Sequence, residues 1–239
     1  MSAAQIDHLV VLATTLDEGI AWCEATLGVT PGPGGEHPLM GTHNRLVNIA
    51  SPQHPQAYLE IIAINTGALP LRKTSLKRWF DMDDPSLQAQ VAQSGPKLIH
   101  FVAQVANIAA ASDALVPFGI DRGPVLSLSR RAASGLLEWQ ITVRDDGQRL
   151  LEGCLPTLIQ WRTAHPTHAM PASGVTLQRV AVRHPEAVAL RQAYAAIGVG
   201  VGAVAVEAAQ TGEPCAGELG SATLSAQLHT PLGVITLRS

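Results

Sequence analysis

Charge is scarce in this chain of 239 residues: Asp, Glu, Lys and Arg make up 15%, and the net charge is -3. That is too little basicity to track a phosphate backbone and too little acidity for a solvated tail, so nucleic acid is not an expected partner. Aromatics are few as well, at 4%. The three cysteines, Cys23, Cys154 and Cys215, are odd in number and far apart. Neither a disulfide framework nor a Cys-x-x-Cys metal site is therefore expected, and they read as small buried hydrophobes. The apolar run Ile6 to Ala13 is broken by Asp7 and His8. Without a basic leader or an 18-residue apolar stretch, neither a signal peptide nor a membrane span is expected, and the chain reads as cytoplasmic. What is abundant is hydrophobic content, 46%, with 21 Gly and 16 Pro, enough for one large or two small globular domains.

A period runs through the sequence. Ile6-Asp7-His8-Leu9-Val10-Val11-Leu12 is strand-like, and Thr15-Leu16-Asp17-Glu18 fits a capping box, so a helix is predicted to start there. Apolar residues at Leu16, Ile20, Cys23 and Leu27 form one helical stripe, and Gly28 stands where a left-handed residue ends a helix. The pattern returns with Leu98 to Ala103, a cap at Asn107, the stripe Ile108, Ala111, Leu115, Phe118, and Gly119. It returns again with Leu177 to Val182, Pro185 at a first helical position, the stripe Leu190, Tyr194, Ile197, and Gly198. From His8 to Gly28 is 20 positions; His100 to Gly119 and Arg179 to Gly198 are each 19.

Strand-like stretches follow each helix: 45–50 and 57–64; 125–128, 136–143 and 154–161; 204–208, 222–228 and 233–237. Gly32-Pro33-Gly34-Gly35, Asp145-Asp146-Gly147 and Gly212-Glu213-Pro214 supply turns. The expected fold is α+β, three βαβββ units at 5–65, 97–163 and 175–238, the third degenerate. A charged, partly helical linker spans 66–96, and Arg162 to Gly174 is a more extended one. Such a unit has an apolar face and free edges, so two units side by side should make a curved sheet around a cleft; edges left over suit the third unit or a homodimer partner.

Residues alternate on a strand, so His8 and His100 occupy corresponding places in two units. In Tyr58-Leu59-Glu60-Ile61-Ile62 a carboxylate interrupts an apolar run and needs a partner, either a cation bound with the two imidazoles or an arginine such as Arg45. Two His and one carboxylate suit Zn, Fe(II), Mn, Co or Ni and leave positions open for substrate. If the two end strands align without a gap, the matching strand of the second unit places Gln160 at the position that Glu60 holds in the first, and Arg179 stands at the histidine position of the third. His43, His54, His165, His168, His184 and His229 read as solvated loop residues, and Arg72, Lys73, Lys77 and Arg78 as a solvated face.

Several of these motifs together resemble the vicinal-oxygen-chelate superfamily, and within it the bacterial glyoxalase-like proteins of the third glyoxalase-domain type. They are Ile6-Asp7-His8-Leu9-Val10, His37-Pro38, Gly41-Thr42-His43-Asn44, Tyr58 to Ile62, Ser129-Arg130, Leu137-Glu138-Trp139, Leu155-Pro156 and Ile159-Gln160-Trp161, spanning roughly 5 to 165. The resemblance implies the glyoxalase fold and a divalent metal held by His8, Glu60, His100 and Gln160. It further implies Glu60 as ligand and catalytic base, and His37, Asn44, Arg130 and Trp139 as substrate contacts. The order His, Glu, His, Gln is similar to glyoxalase or epimerase usage. The expected function is a metal-dependent lyase or isomerase acting on a small oxygenated substrate through an enediolate. The alternatives are a metal-free small-molecule-binding protein of the resistance type and a ring-cleaving dioxygenase.

Overall fold

The computed structural model describes residues 3–132, 135–209 and 222–239. The strands are β1 (Gln5–Leu12), β2 (Glu36–His37), β3 (Thr42–Asn48), β4 (Tyr58–Ile64), β5 (Lys97–Gln104), β6 (Val125–Ala132), β7 (Gly135–Thr142), β8 (Thr157–Trp161), β9 (Thr176–His184), β10 (Ala205–Ala208), β11 (Thr223–Thr230) and β12 (Gly233–Arg238). The helices are α1 (Leu16–Leu27), α2 (Pro85–Ser94), α3 (Ile108–Asp113) and α4 (Ala187–Ala196).

Local chemistry sets the helix ends. Thr15 accepts from the Glu18 amide and the Glu18 carboxylate accepts from the Thr14 amide, while Gly28 closes α1 at φ 72° with its amide on Glu24. Asn107 caps α3 as expected, but that helix stops at Asp113 and a separate 3-10 turn carries Val116 to Phe118. Pro185 lies outside α4, whose N-cap is Glu186. The turn at Gly212-Glu213-Pro214 and Cys215 lie outside the described residues; Cys23 and Cys154 are buried, which pushes both thiols up to about 12.

Eight strands form one sheet in the order β2-β3-β4-β1-β5-β8-β7-β6. β1 pairs in parallel with β4, β5 pairs in parallel with β8, and the two halves join through the antiparallel β1–β5 pair. The sheet curves until its edges approach: Arg130 on β6 reaches Asn44 on β3, 3.4 Å away. The remaining strands form a second sheet, β10-β9-β11-β12. The third segment repeats the order of element types but not the pairing. Here the first strand after the helix, β10, lies parallel to β9, whereas in the other two segments the last strand does. Three equal copies are therefore not what the chain builds.

Alternation sorts the core into two layers. Leu9, Val11, Leu59, Ile61, Phe101 and Leu158 turn to the convex face, where they pack with Cys23 and Leu27 of α1 and with Leu177, Val180, Leu190 and Tyr194 of the third segment. Val10, Leu12, Ile62, Val102, Trp139, Ile141 and Ile159 turn to the concave face. The segment expected as a charged linker supplies Trp79, Phe80 and Met82 to that concave layer. Residues 72–81 are tied to the loop after β7 by Lys77 N–H to Asp145 O and Asp81 N–H to Gly147 O, both 2.9 Å, and by Arg149 Nε to Asp81 at 2.9 Å. Arg72 is buried, bonded to the Lys77 and Arg144 carbonyls and to Asp145, and Arg78 pairs with Asp83. These two arginines hold loops together rather than facing solvent.

Candidate functional site

The concave face encloses a small cavity of about 30 Å³ lined by His8, His37, Asn44, Tyr58, Glu60, Trp79, Phe80, Arg130, Trp139, Ile141, Ile159 and Trp161. His8, Glu60, His37, Asn44, Arg130 and Trp139 are thus brought to one place from β1, β4, β2, β3, β6 and β7. Register explains the first pair. His8 is level with Tyr58 and Val10 with Glu60, so the imidazole and carboxylate are diagonal neighbours on one face of adjacent strands. Asn44, diagonal to Glu60 on the other side, donates from Nδ2 to Glu60 Oε1 at 2.6 Å. Gly34 and Gly35 permit the close approach on this side: a Cβ on the first would overlap Asn44, and on the second the Arg130 guanidinium.

Glu60 is 5% exposed, and its oxygens face two imidazoles, His8 Nε2 at 3.6 Å and His37 Nε2 at 4.0 Å. Arg45, opposite Ile61 and so on the other face, makes no ion pair with it. His8 is held from behind. Its Nδ1–H donates to Asp7 Oδ1 at 2.6 Å, the tautomer being assigned from its partners, and its ring stacks on Tyr58 at 4.6 Å. Asp7, fully buried, also accepts from Trp161 Nε1–H at 2.7 Å and His165 Nε2–H at 3.1 Å. Burial alone would raise its carboxyl, but the bonds and charge supplied by His165 and His8 outweigh it and hold Asp7 well below the usual carboxylate range.

Two successive residues serve one site because β1 is irregular against β5 between Ile6 and His8, leaving Asp7 as the extra residue of a bulge. Sequence alternation alone puts Asp7 on the opposite face, which is why it was read only as a break in an apolar run. His165 was read as solvated and is buried; so are His54 and His184, whereas His168 and His229 are exposed. A signal for His165 exists only in hindsight: it follows closely on the Ile159-Gln160-Trp161 strand whose Trp161 shares its partner.

His37 stays neutral, because burial lowers it to about 4 against the opposing pull of Glu60. Its Nδ1 is 3.1 Å from the Thr42 hydroxyl. Tyr58 stays a phenol, pushed well above its usual value by burial and by the Asp7 and Glu60 charges.

The four residues expected to share a metal do not converge. Glu60 and His100 flank Val10 on opposite sides of β1, two strand spacings or about 10 Å apart in the sheet. Both His100 nitrogens are engaged, Nδ1–H donating to Gly153 O and Nε2 accepting from the Thr157 amide, each at 3.1 Å. Burial, with Arg122 and Arg149 nearby, holds His100 well below its usual value and therefore neutral. Gln160 faces away from Ile159 and Trp161, and its Oε1 accepts the Ile108 amide at the start of α3. His37 supplies the second imidazole instead. Adjacent donors sharing one ion at bonds of about 2.1 Å lie about 3.0–3.4 Å apart, and Glu60 stands slightly farther than that from His8 Nε2, at 3.6 Å, and from His37 Nε2, at 4.0 Å. Among the described residues no group of three His, Cys, Asp or Glu side chains is arranged to hold a metal ion. The expected set of His8, Glu60, His100 and Gln160 does not fit the implied group.

A sheet of two βαβββ halves, closed over a buried polar cluster on its concave face, defines the vicinal-oxygen-chelate class. The chain belongs to the glyoxalase-like domain family, whose sequence model matches residues 6–198. Among solved structures, a hypothetical protein from Staphylococcus aureus is 15% identical with a TM-score of 0.54, covering 98% of this chain and 85% of its own. That likeness shows the fold. Methylmalonyl-CoA epimerase of Streptomyces coelicolor in complex with 2-nitronate-propionyl-CoA is 15% identical over 67% of this chain and 94% of its own, at a TM-score of 0.40. The Mycobacterium tuberculosis methylmalonyl-CoA epimerase is 14% identical over 69% and 91%, at 0.39. Scores this low carry no argument about this chain. No curated protein matches it. Among the described residues no helix is long and apolar enough to cross a membrane.

Proposed function

We propose that the protein is a lyase or isomerase that moves a proton on carbon beside the carbonyl of a small oxygenated substrate, with Glu60 as the base and His8 as its proton partner. One observation carries this reading. With Nδ1–H committed to Asp7, His8 presents a bare Nε2 to Glu60 Oε2 across 3.6 Å, too long for a hydrogen bond. Two buried acceptors that face each other require a proton on one of them, or a substrate atom between them. A buried carboxylate facing an imidazole, with one proton between the two groups, can act as a general acid–base pair.

The step balances without a metal. Glu60 takes the proton from carbon, the electron pair moves onto the carbonyl oxygen, and the proton on His8 Nε2 meets that oxygen. In an α-hydroxy carbonyl compound, return of the Glu60 proton to the former carbonyl carbon, as the adjacent hydroxyl gives its proton to His8 and becomes the new carbonyl, gives an isomer; where the β-carbon carries a leaving group, the electron pair expels it with the His8 proton and gives a lyase product. Asp7 steadies the imidazolium that starts the step and that is restored when His8 takes the proton back, much as a second carboxylate steadies a catalytic histidine elsewhere. Asn44 fixes the Glu60 carboxylate from its other oxygen. Segments 5–65 and 97–163 house this chemistry in the proposal, and 175–238 supports them from the convex side. The test is solvent deuterium exchange into small carbonyl compounds, which Glu60→Gln should abolish in a folded protein.

A further inference from the structure

We propose that the substrate of this site carries a carboxylate, and that the Arg130 guanidinium and the Trp79 indole N–H receive it. The proposal rests on the acid–base reading above for the location of the chemistry, and it adds the class of molecule. Three observations support it.

The first is an uncommitted cation. Arg130 lines the cavity, half-buried, and its contact is the 3.4 Å approach of Nη1 to Asn44 Oδ1. Among the described residues no carboxylate lies within 4.0 Å of it, unlike Arg72, Arg78, Arg144, Arg149, Arg179 and Arg183, and Arg130 is the arginine that lines this cavity. A guanidinium presents its N–H groups in a planar fork that matches a carboxylate.

The second is an orphaned donor. Trp79 is 4% exposed, lines the same cavity, and its Nε1–H has no hydrogen-bond partner. A buried donor without a partner carries an uncompensated desolvation cost, which an acceptor oxygen entering the cavity removes. Its ring is held in place, stacked on Phe80 at 5.2 Å and edge-on to His37 at 5.0 Å.

The third is size. At the ~10–15 Å³ that one water needs, a cavity of about 30 Å³ holds two or three non-hydrogen atoms, the bulk of one carboxylate. Trp139, Ile141, Ile159 and Phe80 line the same cavity with carbon, while His8, His37, Asn44, Tyr58 and Glu60 bring polar groups to it. With the Glu60 carboxylate already there, a second anion needs the cation and donor just named. Glu60 lines the same cavity, so the carbon next to the bound carboxylate lies beside the base and the rest of a small substrate extends through the open side.

The test is direct binding, by calorimetry and thermal shift, of acetate, pyruvate and oxalate against the neutral acetamide and acetone. Carboxylates should bind and raise the melting temperature, and each neutral partner should bind at least about tenfold more weakly, the scale of a charge-assisted hydrogen bond. Arg130→Gln should cost carboxylate affinity by a similar factor and Trp79→Phe by several-fold. Gly35→Ala, whose methyl displaces the guanidinium without removing it, gives a second variant if Arg130→Gln folds poorly. Arg179→Gln, an exposed arginine on the other sheet, should change nothing.

Equal binding of acetamide and acetate, unchanged affinity in both Arg130→Gln and Gly35→Ala, or an equal loss in Arg179→Gln would overturn the proposal. Its failure is separable from that of the acid–base reading. Carboxylates that bind without deuterium exchange leave this inference standing and remove the other; exchange confined to neutral carbonyl compounds does the reverse.

Discussion

Replacing Asp7 with asparagine perturbs the group on which the rest of the site leans. The carboxylate is fully buried and accepts three hydrogen bonds, from His8 Nδ1 at 2.6 Å, Trp161 Nε1 at 2.7 Å and His165 Nε2 at 3.1 Å. Asparagine keeps the shape but turns one oxygen into an NH2 group, so at least one of these donors faces another donor. Each hydrogen bond to a charged group is worth about 1.5–3 kcal/mol, and breaking a buried charged pair costs about 3–5 kcal/mol. We expect Asp7→Asn to lose about 3–5 kcal/mol at neutral pH. With a urea slope of about 3 kcal/mol/M, the denaturation midpoint falls by about 1–1.7 M. The sign with pH follows from the depressed carboxyl. Its stabilisation is fully present above the ordinary value of 3.8 and is lost as pH falls through the lower folded value, so wild type and variant should converge in acid. A midpoint shift below about 0.3 M at pH 7, or a gap that persists unchanged down to pH 2, would refute the claim that Asp7 is a charged anchor.

Three further outcomes are expected. His37 and His100 should both be neutral at pH 5.5 by nitrogen-15 NMR, with His37 titrating near 4. Because His37 is depressed from 6.5 by burial, its contribution to stability is present above 6.5 and is lost as pH falls from there toward 4. Any divalent ion that the purified protein takes up should survive His100→Ala and vanish in His8→Ala, because the His100 nitrogens are committed to Gly153 and Thr157; metal analysis by mass spectrometry reads this out, and loss in His100→Ala would contradict it. Gly153→Ala places a Cβ 2.6 Å from the Ile99 carbonyl at φ 87°, so it should cost about 2–3 kcal/mol and lower the melting temperature by roughly 5–10 °C.

The periodic parts of the chain were legible in its sequence. The Thr15 cap, the Gly28 terminus and the strands bearing His8 and Glu60 all follow from local rules, because capping and alternation act within a few residues. His8 and Glu60 were found as polar interruptions of apolar strands, and they do face one another. What alternation does not encode is register between strands. It is register that leaves Val10 between Glu60 and His100 and turns Gln160 toward α3. Nor does a period of two survive a bulge, so Asp7 escaped notice one position from His8. Trp79 and His165 come from segments without periodicity, placed by contacts across the fold; a charged composition around 72–84 concealed the aromatic pair that closes the cavity. The third segment, expected to be degenerate, keeps the order of element types of the first two but pairs differently: β9 lies between β10 and β11 in a sheet of its own.

The most direct test of the account is proton NMR in D2O of small carbonyl compounds with a hydrogen on the adjacent carbon, incubated with wild type and with Glu60→Gln. The account predicts deuterium wash-in at that carbon with wild type. It also predicts a fall of at least about 100-fold in Glu60→Gln, the lower bound of what general acid–base catalysis supplies. Exchange at the wild-type rate in a folded Glu60→Gln variant would contradict it, as would the absence of exchange in a compound shown to bind the cavity.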